Sequence, residues 1–394
     1  MIDHMTASPG RPRLLRELND RAALELLASS GALTRSQVSE MTGLSKVTAN
    51  HVLARLEERG LVVKVGAQEG GPGPNAALYG LNPASGQVIA IEVYPDTTAA
   101  VLADITGRVL AETTAPTDAT VEPAEAVHAI VAHLVRAART DMAQVQACVI
   151  ALPAVIEPAT SRIRFCYEMP AWDGDAIEEI RRNVPLPVTI DNDVNLAAMA
   201  ERALGVAKDA RDFVLVWIGR GPGSAFMVGD QLLRGTAGAA GELGAMPVPG
   251  SDLGSGGFDR GRYEVAAAFQ ALVGAPAVQE LAERHQTAAE TAAKSVAAAV
   301  RSAAVDFLDE LAWRIALGVA SICTVLDPEL VVLGSHVGFA GGDEIAGRVQ
   351  RAVAGMCLAR PRVTASTIPD RPVVRGALLI AVAQARERVF FGEP

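Results

Sequence analysis

The sequence predicts an α/β protein of two lobes, preceded by a small helical domain that carries a β-hairpin. Three observations lead there. Beyond residue 86 the chain falls into two similarly ordered β-then-α halves, which predicts a cleft between them. The β-rich run VPLPVTI ends in the polar hexapeptide Ile190-Asp-Asn-Asp-Val-Asn195 and passes at once into a small-residue helix, LAAMAE. That places Asn192 and Asp193 at the carboxyl end of a strand, where α/β proteins form ligand clefts. The first eighty residues read helix, helix, turn, helix, hairpin, which is the winged helix-turn-helix order. At 394 residues, half of them hydrophobic, the chain can bury cores for two or three domains.

Residues 1–13 read as a slightly basic, flexible arm. Leu14, Leu15, Leu18, Ala22, Leu26 and Leu27 recur near helical spacing and predict a first helix to Ser30. Thr34-Arg-Ser-Gln37 is a capping box that starts a second helix, with Val38 and Met41 expected inward and Gly43 at its end. Ser45 suits the N-cap of a third helix, with Ala49, Val52, Leu53 and Leu56 on one face and Gly60 as the stop. LVVKV (61–65) and AALYGL (76–81) flank a glycine- and proline-rich tip, EGGPGPN (69–75), and form the wing.

Asn82-Pro-Ala-Ser-Gly86 reads as a hinge. VIAIEV (88–93), AAVLAD (99–104) and RVLAET (108–113) follow as a meander, then a helix over 123–139 and the strand ACVIAL (147–152). DFVLVWI (212–218) opens the second half. An alanine-rich helical stretch over 276–325 leads to the strand LVVLG (330–334), and a last helix runs from Gly376 to Val389. The expected units are an arm at 1–13, a winged helix-turn-helix at 14–83, a first lobe at 84–205 plus 376–394, and a second lobe at 206–375.

Composition narrows the class. Cys148, Cys166, Cys323 and Cys357 are far apart and form no CxxC pair, which argues against a disulfide framework or a cysteine-rich zinc site and suits a reducing compartment. With no apolar leader and no run of 18 apolar residues, a cytoplasmic protein away from the membrane is expected. The net charge of −10 is uneven: residues 1–83 carry nine Lys/Arg against eight Asp/Glu, whereas the remainder carries 26 against 37. A polyanion contact is therefore expected of the N-terminal part alone.

On the third helix, Lys46, Val47, Thr48, Asn50, His51 and Arg55 lie off the apolar stripe, beside the capping Ser45. A recognition helix offers its first turns to base edges in the major groove. Asn50 suits adenine, Thr48 or Val47 a thymine methyl, and Lys46 and Arg55 a phosphate or guanine. The bland alternative is an exposed polar face in a small helical domain.

With these elements in place the chain resembles the ROK family of sugar-responsive repressors and sugar kinases, from about Leu14 to the C-terminus. The resemblance rests on LLRELNDRAALELL and the helix-turn-helix behind it, on ALPAVIEP (151–158), MPAWDG (169–174) and IDNDVNLAAMAE, and on LLRGTAGAAGELGAMPV (232–248) and VLDPELVVLGSHVG (325–338). It implies an actin-like, two-lobed sugar-kinase fold behind the winged helix, assembled as a dimer or tetramer. It also implies sugar contacts from Asn192, Asp193, Glu242 and Glu264.

Several positions depart from the family pattern. Kinases of the family place D-x-G-G-T after the first strand of the domain, where this chain has Glu92-Val-Tyr-Pro-Asp96. The second phosphate loop, G-T-G-x-G, reads Gly219-Arg-Gly-Pro-Gly223. Both changes argue against nucleotide binding and against kinase activity, so no cofactor is expected. The family's zinc positions hold Ala245, Ser255, Gly257 and Arg262, so no metal is expected. An asparagine usual near the cleft is Glu168, which could favour an amino-bearing ligand, and a loop glycine is Ala154. Pro74 stands where an arginine usually enters the minor groove, leaving Asn75 a weaker contact there.

The expectation is a non-catalytic, carbohydrate-linked transcriptional regulator, a repressor, binding an inverted-repeat duplex operator as a homodimer or tetramer, with a sugar or sugar derivative as effector. An effector-independent regulator with a vestigial cleft is the alternative, and an active kinase the remote one.

Overall fold

The computed structural model describes residues 12–68, 75–248 and 269–392. The Pro74 position, Glu264 and the zinc-site positions Ser255, Gly257 and Arg262 lie outside these residues.

The N-terminal domain assembles as its caps dictate. Helix α1 (Pro12–Ser30) leads to a two-residue strand, β1 (Leu33–Thr34). In α2 (Arg35–Thr42) the capping box closes both ways: Thr34 Oγ1 accepts from Gln37 N at 3.2 Å, and Gln37 Oε1 accepts from Thr34 N at 2.8 Å. Gly43 turns the chain at φ +71°, where a side chain would be strained. Ser45 Oγ then accepts from Thr48 N at 3.1 Å and starts α3 (Lys46–Glu58). Strands β2 (Val62–Gln68) and β3 (Ala76–Leu81) form the antiparallel wing, with β1 on the far side of β3.

Three sequence expectations fail here, two of them around one ion pair. Leu14, Leu15 and Leu18 are exposed, while Ala23, Leu24 and Leu27 are buried. The buried face of α1 is fixed by Asp20, only 7% exposed, whose carboxylate takes Arg55 Nε at 3.1 Å and Arg59 Nη1 at 3.4 Å, with a second bond from Arg55 Nη2. Residues one and two turns beyond Asp20 therefore face the core, and the leucines before it do not. Met41 is also exposed, roughly 60° around α2 from the buried Val38. The same ion pair corrects the reading of Arg55: it ties α3 to α1 rather than projecting from the reading face.

The larger domain contains the same five-stranded pattern twice. In the first sheet, β4 (Gln87–Val93), β5 (Thr97–Asp104) and β6 (Val109–Pro116) form an antiparallel meander. Beyond α4 (Pro123–Ala137), β7 (Val145–Leu152) adds parallel to β4. A small hairpin of β8 (Ala154–Ile156) and β9 (Ile163–Cys166), then α5 (Ala176–Asn183), precede β10 (Val188–Asn192), which adds parallel to β7. Helix α6 (Asp193–Leu204) begins where β10 ends. In the second sheet, β11 (Phe213–Ile218), β12 (Pro222–Val228) and β13 (Gln231–Leu233) form the meander.

The predicted helical stretch 276–325 is three helices after a short α7 (Gln270–Val273). These are α8 (Ala275–Arg284), α9 (Ala292–Ser302) and α10 (Val305–Leu326), broken where Gln286 and Ala303 take positive φ and where Thr291 caps α9. Strand β14 (Leu330–Gly334) pairs parallel with β11, and β15 (Arg362–Ala365) pairs parallel with β14 after α11 (Ser335–Met356), which is kinked at Gly342. The final helix, α12 (Pro372–Arg386), starts one turn before Gly376 and packs back on the first sheet. Among the described residues no helix is long and apolar enough to cross a membrane.

Removing the Asp20 carboxylate should strand two arginines against a buried helix face. Asp20→Ala is expected to cost about 2–3 kcal/mol, less than a fully buried pair because Arg55 keeps some solvent contact. Urea unfolding of the full chain measures it; a loss below about 0.5 kcal/mol would mean the pair is screened.

Candidate functional site

Both sheets present their strand ends to one cleft of about 470 Å³. Asn192, Asp193, Glu168 and Glu242 all line it, as the sequence led one to expect, and so do Glu92, Tyr94, Asp96 and Arg220. Glycine spacing in the GTAGAAGE segment brings the walls together. A Cβ on Gly238 would lie 1.8 Å from the Ile156 carbonyl oxygen, and one on Gly241 would lie 1.9 Å from that of Ser224. Arg234 donates to Asp191 at 2.5 Å across the two halves.

The first phosphate loop of a kinase is replaced by a three-residue turn, Tyr94–Asp96, between β4 and β5. Tyr94 N–H is spent inside the hairpin on the Thr97 carbonyl at 2.9 Å, and Pro95 has no N–H. The turn therefore has few amides left to cradle a phosphate. Its phenol instead donates to Asp193 Oδ2 at 2.9 Å, while Asp193 Oδ1 accepts from Val194 N at 2.9 Å. At the second loop Arg220 has carboxylates on two sides: it pairs with Asp96 at 3.0 Å and with Glu168 at 2.9 Å, both in contact with solvent. Glu168 is thus a partner of Arg220, not a free carboxylate awaiting a cationic ligand, and any anion approaching Arg220 meets Asp96 and Glu168 beside it.

Asn192 also carries structural duty. Its Oδ1 caps α6 by accepting from Asn195 N at 3.0 Å, and its Nδ2 donates to the Ala154 carbonyl at 3.2 Å. One lone pair and one N–H remain for a ligand. Three carboxylates, Glu92, Asp193 and Glu242, share the cleft, with the Arg371 charge acting on Glu92. Burial, then the charge of Asp193, pushes Glu92 up to about 7. Burial pushes Asp193 up to about 6 against the opposing pull of the Tyr94 hydroxyl and the Val194 amide. The enclosing walls and the Asp193 charge raise Glu242 as well, though its surface stays partly open to solvent. Among the described residues no group of three or more His, Cys, Asp or Glu could hold a metal ion.

Glu92 and Tyr94 were legible only as breaks in a loop pattern. The available signal was an aromatic where a phosphate loop needs glycine, one residue past a strand end.

The second candidate surface lies on α3. Lys46, Val47, Asn50 and His51 are exposed along one face, whereas the Thr48 hydroxyl is bonded to Ser45 Oγ at 2.9 Å. Asn75 is exposed at the start of β3.

Residues 88–384 match the model of the ROK family. The chain belongs to the ROK family. Residues 17–71 match the MarR family model, over the helices and first wing strand. The putative xylose repressor of Caldicellulosiruptor sp. (strain Rt8B.4) is 22% identical over 389 residues, spanning 95% of this ROK chain and 98% of that protein. A ROK family transcriptional regulator, a homolog of the E. coli MLC protein, superposes with a TM-score of 0.72 at 20% identity, covering 95% of this chain and 98% of that one. The ROK glucokinase from Streptomyces griseus, solved with glucose and AMPPNP, gives a TM-score of 0.60 at 22% identity, covering 75% of this chain and 99% of that one. The actin-like fold with a winged helix in front is thereby shown.

The titration of the cleft is testable. Loss of the hydroxyl in Tyr94→Phe should move the Asp193 midpoint above about 6, followed by carbon-13 NMR; an unmoved midpoint would mean the hydroxyl does not hold it down. Between about pH 4 and 7 the folded chain holds protons at Glu92 and Asp193 that the unfolded chain has released, so folding stability falls as pH rises through that window. Asp193→Asn should remove about 2–3 kcal/mol of that fall, which denaturant unfolding at pH 4.5 and 7.5 would resolve.

Proposed function

We propose that this ROK protein is a cytoplasmic, carbohydrate-responsive repressor that binds duplex DNA through α3 and its wing and does no chemistry in its cleft. The observation that carries the reading is the Tyr94–Asp96 turn. It fills the phosphate-loop position with a phenol and a proline, bonds the Tyr94 hydroxyl to the buried Asp193 and sets Asp96 beside Arg220. Phosphoryl transfer depends on positioning and electrostatic stabilisation of the moving phosphate, and neither loop provides that here.

The DNA contacts are assigned to Lys46, Val47, Asn50 and His51, with Ser45 and Thr48 setting the first turn of α3 and Asn75 beside the groove. Two-fold pairing of the chain would present two such helices to an inverted repeat, with half-sites about one helical turn or a multiple apart.

The effector reading assigns Asp193, Asn192 and Glu242 to ligand hydroxyls, with Tyr94 fixing the orientation of Asp193. The cleft volume is in the range of small-molecule sites. Its carboxylates, with Asp96 and Glu168 beside Arg220, disfavour a phosphate ester, so the ligand class is an unphosphorylated carbohydrate. The likeness to a protein named as a xylose repressor supports that class.

For DNA, Asn50→Ala should weaken binding to a duplex selected from a random pool by about 1–3 kcal/mol and relax sequence preference, and Lys46→Ala should lower the salt slope by about one. Both variants binding like wild type would move the reading surface elsewhere. For the cleft, xylose, glucose and N-acetylglucosamine are compared with their phosphate esters by thermal shift. Stabilisation by a free sugar, reaching about 2.7 kcal/mol at a hundredfold excess over Kd, with none from the esters, is expected. No stabilisation by any of them would favour the effector-independent regulator, and preference for an ester would overturn the ligand class.

A further inference from the structure

One helix touches both the cleft and the reading head. At the start of α12, Arg371, Pro372 and Val373 line the cleft. Arg371 takes a left-handed backbone at φ +42°, donates to Thr114 Oγ1 at 2.7 Å and faces Glu112 at 3.5 Å. Along its length α12 lies against α6, the helix that begins at Asp193. The approach is closest at Gly376, where a Cβ would sit 1.8 Å from the Leu196 carbonyl oxygen. Backbone meets backbone there with no side chain to absorb a shift, so a displacement of one helix presses directly on the other.

About 22 Å further on, at 1.5 Å per residue over 15 residues, α12 widens into a π turn, Glu387–Phe391. Such turns are uncommon and concentrate at functional sites. The N-terminal domain grips this one. Arg21 of α1 donates to both Glu387 carboxylate oxygens, at 2.7 and 2.9 Å, and lies 4.3 Å over the Phe391 ring. Arg59, just past α3, donates to the Phe390 carbonyl at 2.7 Å. Arg59 also reaches Asp20, the residue that holds Arg55, so the grip runs directly into the frame of the recognition helix. Arg21 and Glu387 are each about 40% exposed, so their contact is a breakable one, suited to two positions.

We propose that α12 is the transmission rod of this protein: displacement of α6 at the cleft moves α12, and the π turn passes that movement through Arg21 and Arg59 to α1 and α3. The inference rests on the reading of the cleft as an effector site and adds how that site acts on the DNA-reading domain. Allostery of this kind requires an element whose position both sites bias, and α12 is in contact with both.

The test perturbs the cleft end and reads the far end, with neither DNA nor sugar present. In the full chain, Gly376→Ala forces α12 away from Leu196, and amide hydrogen exchange is followed over residues 14–30 of α1. Exchange there should rise at least fivefold. In an Arg21→Ala background, where the grip is already cut, the same change should add less than twofold. Arg371→Ala, which frees the start of α12 from Thr114, carries the same comparison should Gly376→Ala not fold. Unchanged exchange in α1 from the cleft-end substitution, or effects that multiply independently of Arg21, would overturn the proposal. Either result leaves the DNA and sugar measurements to stand or fall separately: a silent sugar panel removes the signal, not the connection.

Discussion

The turn from Tyr94 to Asp96 sets the terms for the whole cleft. Three residues join two core strands, and closing so short a hairpin uses Tyr94 N–H internally. The side chains of the turn are then thrown forward into the cleft. One of them, Tyr94, secures Asp193, and another, Asp96, secures Arg220. Holding and transferring a phosphate calls for open amides and an unengaged carboxylate, and here the Tyr94 amide and Asp193 are both bonded within the protein. The cleft is an acidic pocket framed by two sheets of matching topology.

The N-terminal domain depends on a comparable internal commitment. Asp20 is a charged residue in the middle of an amphipathic helix, and its cost of burial is offset by Arg55 on α3 and Arg59 just past it. With Asp20 on the inward face, Leu24 and Leu27 pack inside and three leucines near the start of α1 are exposed. It also removes Arg55 from the set of side chains available to DNA. Arg59, sharing the same carboxylate, becomes the bridge to the C-terminal turn.

Much of this was legible in the chain itself. Local chemistry made the caps at Thr34 and Ser45, the turn at Gly43 and the strand-to-helix junction at Asn192–Asp193 readable, because each is decided within four residues. The resemblance located Asp193 and Glu242, and the structure brings both to one cleft. What could not be read was decided by distant partners. Arg55 looks like any polar residue on a recognition helix until Asp20, 35 residues away, is placed against it. Glu168 looks like a ligand-facing acid until Arg220 meets it across the lobes. Tyr94 reads as a damaged loop until its hydroxyl reaches Asp193, 99 residues on. The long alanine-rich stretch hid its breaks because Ala303 takes a left-handed conformation that composition does not announce.

A repressor of the kind proposed holds no nucleotide between the Tyr94–Asp96 turn and Arg220. Calorimetric titration of magnesium-ATP into the full chain, with and without a saturating free sugar, tests it most directly. No binding heat up to millimolar nucleotide under either condition is the expected result. A saturable isotherm with a micromolar Kd, weakened by Arg220→Ala, would show that the loops still hold phosphate and would contradict the account.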